Sequence, residues 1–223
     1  MLHSNTVETL ISWSPLLMRG ALVTLKLALS AAGIGMAFGT LMGIASSKRL
    51  AHPFMKYLIK AYVIAIQGTP VFIQVLLFYY ALPSLIGLNL SPFAAGAIAL
   101  GLNSTAYITE IIRGGINAVP AGQWEASYSL GYSSTSTLIS IILPQSLKIV
   151  LPSLTNEVSV LIKETAVISI IGVLELTKVG MNLNSHTLDP VMIYGTIALI
   201  YLFMTSVITG FSNHYLNKET HHD

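Results

Sequence analysis

Cysteine is absent from all 223 residues, which excludes disulfides, thiolate metal centres, iron–sulfur clusters and Cys nucleophiles. Charge is nearly as scarce. Eleven Lys+Arg and nine Asp+Glu amount to 9% of the chain, against about a quarter in soluble globular proteins. With 53% hydrophobic residues and a mean hydropathy of +0.72, too few charges remain to clothe a water-facing surface. That excludes most soluble enzymes and binding modules, and it excludes disorder. A formal net charge of +2 without a basic arm or stripe argues against nucleic acid as a partner. No G-x-x-x-x-G-K-[ST] phosphate loop occurs, so ATP hydrolysis by this chain is not expected. Histidines stand only at 3, 52, 186, 214, 221 and 222, outside the apolar runs, so no pair can ligate haem inside a membrane. The C-terminal three are better read as a solvated tail than as a metal site, and no metal or other cofactor is expected on this chain.

What is present is long uncharged runs. A membrane span needs about 20 predominantly apolar residues. Leu27–Ser47, Ala61–Thr109 and Pro190–Asn213 carry no charged residue; Pro83, Asn89 and Pro92 divide the middle run into two helices with a short loop. A further span falls around 149–172, making five and an all-α membrane protein. The connection after the first span holds Lys48, Arg49, Lys56 and Lys60 with no acid, which places it in the cytoplasm. Alternation then puts the N-terminus outside, 114–137 inside, 175–189 outside and the C-terminus inside. His3 and Glu8 stand where a signal peptide would be basic, so residues 1–18 are expected as an extracytoplasmic or interfacial segment. The membrane domain covers 19–213 and a cytoplasmic tail 214–223.

Gly35, Gly39 and Gly43 repeat every four residues on one face of the first span, where they let another helix approach closely. Static packing within one subunit is the simpler reading; a moving or dimerising interface is the alternative. Ionisable residues inside a membrane are functional candidates. Glu157 and Glu164 lie two helical turns apart, nearly on one face, where a cationic ligand could bridge them. The competing reading pairs them with Lys148, Lys163 or Arg113, or places them at the membrane surface. Glu110 and Arg113, three apart, are read as a local ion pair.

The segment around 117–144 is unusual for a membrane protein. A short helix capped by Pro120 and Gly122 carries Trp124 and Tyr128 beside the small Ala126 and Ser127 and breaks at Gly131, a compact knob able to dock in a groove. Glu125-Ala126-Ser127, then Gly131, then Ile141, Leu143 and Pro144 resemble the Glu-Ala-Ala…Gly…Ile-x-Leu-Pro loop of ATP-binding-cassette (ABC) importer permeases. Gln67-Gly68-Thr69-Pro70, Tyr107-Ile108-Thr109-Glu110-Ile111-Ile112-Arg113-Gly114-Gly115 and Pro120-Ala121-Gly122-Gln123 resemble the polar amino-acid branch of those permeases. Lys163-Glu164-Thr165 and Ile171-Gly172-Val173-Leu174-Glu175-Leu176 extend the likeness, which covers about residues 15–213. The departures are Ser127 for Ala, Gln67 where Arg is usual, and Glu164 where Asp is common.

The resemblance implies a type I importer permease fold whose coupling helix, with Trp124, Glu125, Ala126, Ser127 and Gly131, sits in a cleft of an ATP-binding subunit. It implies two such subunits, which hold ATP and Mg, an extracytoplasmic solute-binding protein, and a second permease copy or related chain. The setting it implies is a bacterial inner or sole cell membrane, with an amino acid crossing the lipid bilayer. Two carboxylates suit a substrate with a second cation, so Glu157 and Glu164, with hydrogen bonds from Asn103 and Tyr107, point to arginine, lysine or histidine ahead of glutamine. A carrier driven by an ion gradient is the rival, its carboxylates being proton or sodium sites. Such a carrier has no use for the knob.

Overall fold

The computed structural model describes residues 6–219, with side chains described from 11 to 210. Every regular element among them is helical. Helix α1 (Thr6–Ala45) leads to α2 (Pro53–Gln67) and, past a bend, to α3 (Val71–Leu76), which continues through a π-turn into α4 (Leu82–Ile86). Helix α5 (Pro92–Ala118) is followed by the short α6 (Ala121–Ser129). One long rod then comprises α7 (Ser134–Thr137), a π-turn, α8 (Leu143–Glu164) and a 3₁₀ stretch to Ile171. Helices α9 (Leu176–Thr187) and α10 (Pro190–Glu219) complete the chain.

The expected segment 1–18 does not stand apart: from Thr6 it is the first part of α1, uninterrupted past Pro15. Residues 1–5, and 220–223 of the expected tail, lie outside the described residues. Three helical stretches are long and apolar enough to cross a membrane: Ile11–Ala45, Ser134–Ile171 and Pro190–Gly210; the bent pair Pro53–Gln67 and Val71–Ile86 counts as a fourth. The fifth expected crossing is α5. Its 27 residues rise about 40 Å, but it buries Asn103, Ser104, Thr105 and Thr109, which an apolar span would not carry. It can carry them across because α1, α2, α3 and α8 pack around it.

The glycine stripe makes that enclosure possible. A Cβ added at Gly35 would lie 2.8 Å from Ser104 Oγ, and one at Gly39 or Gly43 would lie 2.7 Å from the Cβ of Ile108 or Ile112. These glycines therefore pack within one subunit. Because 35, 39 and 43 meet 104, 108 and 112 in the same order, α1 and α5 run parallel, and the chain between them must return across the bundle. The C-terminal ends of α1 and α5 are tied where the Lys48 N–H donates to Asn117 Oδ1 (3.1 Å). At the opposite end the Leu176 N–H donates to Thr24 Oγ1 (3.2 Å), so α9 and α6 cap opposite ends.

The bend between α2 and α3 is 101°. Pro70 has no N–H to donate, and Gly68-Thr69-Pro70 interrupts the helical ladder, leaving carbonyls without helical partners. Buried Gln74 supplies them: its Nε2 donates to Ile66 O (2.9 Å) and Thr69 O (3.1 Å). Asn103 Nδ2 in turn donates to Gln74 Oε1 (3.0 Å), pinning the bend to α5.

Gly39→Ala should overpack this interface and cost about 1–3 kcal/mol, lowering the thermal unfolding midpoint of the purified complex. Gly33→Ala inside α1, which meets nothing within 4 Å, should not lower the midpoint, since alanine is the better helix former.

Candidate functional site

Helix α6 is seated by its inward face. Trp124 is 2% exposed and packs with Ile116 and Val119 from the end of α5 and with Leu138 and Ile142. Ser127 Oγ donates to Trp124 O (2.8 Å) and meets Thr137 Oγ1 at 2.9 Å, joining α6 to α7. From the first loop, the Arg49 guanidinium lies 5.6 Å from the Trp124 ring centroid and 3.9 Å from Glu125 Oε1. The exposed ion pair adds little; stacking on the indole contributes about 0.5–1 kcal/mol. Gly131 closes the knob at φ +83°, in the left-handed region, with its N–H on Tyr128 O (3.0 Å). Of the five residues expected to couple, Trp124 and Ser127 thus turn inward. Glu125 and Ala126 turn outward beside Tyr128 and Leu130, the last 77% exposed.

The second cluster lies along α8. Glu157 is buried and accepts a hydrogen bond from Ser104 Oγ of α5 (2.8 Å). Glu164, half-buried, forms no hydrogen bond among the described residues and lies near enough to feel the charges of Glu157 and Lys163. The expected hydrogen-bonding partners are elsewhere. Asn103 is engaged by Gln74, about 100° round α5 from Ser104, and Tyr107 is exposed. Glu110 takes two bonds from Arg113, to Nε (3.0 Å) and to Nη2, as the spacing implies.

Reading the sequence passes over Gln74, Ser104 and Glu175 as site residues. Glu175 is wholly buried at the N-cap of α9, accepting from the N–H groups of Thr177 (2.8 Å) and Lys178 (2.6 Å) and from Tyr201 Oη (3.0 Å). Burial pushes its carboxyl above the usual range, and those donors pull it back. Its signal was its place just before a run with Leu176 and Thr177, the position of an acidic N-cap.

An all-helical bundle with an enclosed polar helix, a bent span and an externally facing knob is the type I ABC permease fold. The comparisons agree. The chain belongs to the family described as binding-protein-dependent transport system inner membrane component, which matches residues 15–222. It is 33% identical over 198 residues to the arginine transport system permease protein ArtQ of Bacillus subtilis, covering 87% of this chain and 88% of that one. It is 34% identical over 196 residues to the glutamine transport system permease protein GlnP of Escherichia coli, with 87% and 89% covered. The crystal structure of an amino acid ABC transporter with histidines superposes with a TM-score of 0.86 at 35% identity, over 96% of this chain and 99% of that one. The MetNI methionine ABC transporter shares the fold, with a TM-score of 0.81 at 16% identity, over 93% and 97%. This chain is the permease of an amino-acid ABC importer, a multi-pass inner-membrane protein.

Gly131→Val should abolish ATP-dependent uptake while leaving the chain inserted, because a β-branched residue at φ +83° is strained by about 1–2 kcal/mol or more. Gly131→Asn, which tolerates that region, should keep uptake. Equal transport by both variants would remove the backbone argument.

Proposed function

We propose that this permease carries a basic amino acid, arginine, lysine or histidine, with Glu157 and Glu164 receiving its two cationic groups. The observation that carries the reading is the pair itself: two carboxylates two turns apart on α8, one buried and oriented by Ser104, the other half-buried and without a hydrogen bond among the described residues. A carboxylate kept out of water favours a charged partner, and a guanidinium binds it bidentately. The family alone does not decide the substrate, since relatives are named for arginine, glutamine and cystine transport. Ser104 joins the site as the residue that positions Glu157, while Asn103 and Gln74 hold the bend between α2 and α3.

In the same reading, Glu125, Ala126, Tyr128 and Leu130 form the face that docks on an ATP-binding subunit, with Trp124 and Ser127 holding that face in place. Two such subunits hold the ATP and Mg, so this chain itself catalyses nothing. An extracytoplasmic solute-binding protein delivers the substrate, and a second copy or related chain completes the pathway. Transport is alternating access, the ATP-binding subunits shifting which conformation is populated. Lys48 and Arg49 of the first loop, with Lys56 and Lys60 in the first half of α2, support placing α6 in the cytoplasm, the N-terminus outside and the C-terminus inside. The gradient-driven alternative leaves the knob without a purpose.

Glu157→Gln, in the intact complex in vesicles, should cut arginine uptake roughly tenfold to 150-fold, the value of a charge-assisted bond of about 1.5–3 kcal/mol. Assembly and basal ATP hydrolysis should persist. Undiminished arginine uptake would return the substrate to an unspecified polar amino acid.

A further inference from the structure

Between α2 and the inner half of α5 lies a cavity of about 360 Å³ that follows α2 from Lys56 past Lys60 to Gln67 and is closed by Glu110 and Arg113 of α5. Three cations there face one carboxylate. Glu110 is spent on Arg113, whose Nε and Nη2 both donate to it, leaving the Nη1 donors of the same guanidinium unspent. The ammonium groups of Lys56 and Lys60, one turn apart on α2, take part in no ion pair or hydrogen bond among the described residues. The cavity therefore holds uncompensated positive charge, which calls for an anion.

A second feature says what kind. An apolar furrow runs along the outer face of α2 past Tyr57, Ala61, Ile64 and Ala65, and it shares Lys60 and Ile64 with the cavity. Tyr57 is 71% exposed and Ile64 60%, so the chain's own core does not cover this face. A cationic head joined to an apolar furrow at the end of a membrane helix has the shape of an anionic phospholipid. A second copy seated there about a two-fold axis would bring like lysines together. Nor does the cavity belong to the Glu157 site: Ala106, which packs on α2, lies about 200° round α5 from Ser104.

We propose that this cavity binds an anionic phospholipid, its phosphate held by Lys56, Lys60 and the remaining donors of Arg113, with an acyl chain along the α2 furrow. The site does not depend on which amino acid is carried; under the orientation proposed above the lipid belongs to the cytoplasmic leaflet.

The test uses the complete complex, purified from vesicles of equal phosphatidylglycerol and phosphatidylcholine and stripped of loosely held lipid, with the retained lipid quantified by mass spectrometry. Phosphatidylglycerol should be retained selectively. Its enrichment should fall about fivefold per lysine in Lys56→Gln and Lys60→Gln and about 25-fold in the double variant, from about 1 kcal/mol per cation. The double variant Lys56→Arg with Lys60→Arg should retain it, and millimolar inorganic phosphate should leave it unchanged. Displacement by inorganic phosphate would overturn the lipid assignment in favour of a soluble anion. Equal retention by wild type and the glutamine variants would overturn the site.

Discussion

A helix with Asn103, Ser104, Thr105 and Thr109 at its middle cannot face hydrocarbon, and the rest of this structure is arranged to enclose it. Bilayer interior offers no water to satisfy such groups. Thr105 and Thr109 solve the problem locally, each hydroxyl donating to the carbonyl four residues earlier, at 2.8 and 2.7 Å. Asn103 and Ser104 solve it through other helices, by Gln74 and Glu157. Each of those partners is itself a group that could not stand alone in a membrane, so the polar residues of three elements make one another tolerable. Gly35, Gly39 and Gly43 supply the remaining condition by letting α1 lie directly against α5.

The same helix links the two regions to which we assign substrate binding and coupling. At one end α5 passes through Val119 and Pro120 into α6, whose Trp124 packs back on Ile116 and Val119. More than three turns along its length, Ser104 holds Glu157. The first loop reinforces this end, with Arg49 on Trp124 and the Lys48 N–H on Asn117. A displacement of α6 is therefore passed to α1 and α5 together, which suits a part pulled from outside the membrane. Close packing transmits such shifts because it has no slack to absorb them.

Much of this was legible in the residues. Uncharged runs located the spans, the four-residue glycine spacing indicated packing within the subunit, and the Pro120-to-Gly131 segment indicated a knob. Glu110 and Arg113 paired as their spacing requires. What could not be read was pairing between distant segments. Nothing in a run of small polar residues says that Ser104, rather than Asn103, meets Glu157, because a difference of one residue turns a helix by about 100°. Nor does a nine-residue helix announce which side of Trp124 is buried; that depends on Leu138 and Ile142, which the chain brings back only after Gly131. Gln74 was hidden for a related reason, since its task is to satisfy carbonyls that only the folded bend exposes.

Helix α5 is held by specific polar partners, Gln74 on Asn103 and Glu157 on Ser104, as well as by apolar packing. A double-mutant cycle on Ser104→Ala and Glu157→Met, which leaves no acceptor for the Ser104 hydroxyl, read from the unfolding free energy of the purified complex, tests this directly. The prediction is non-additivity of about 1 kcal/mol, the double variant losing less than the sum of the singles. Additive losses, agreeing within about 0.3 kcal/mol, would show that the two residues do not act as a pair and would contradict the account.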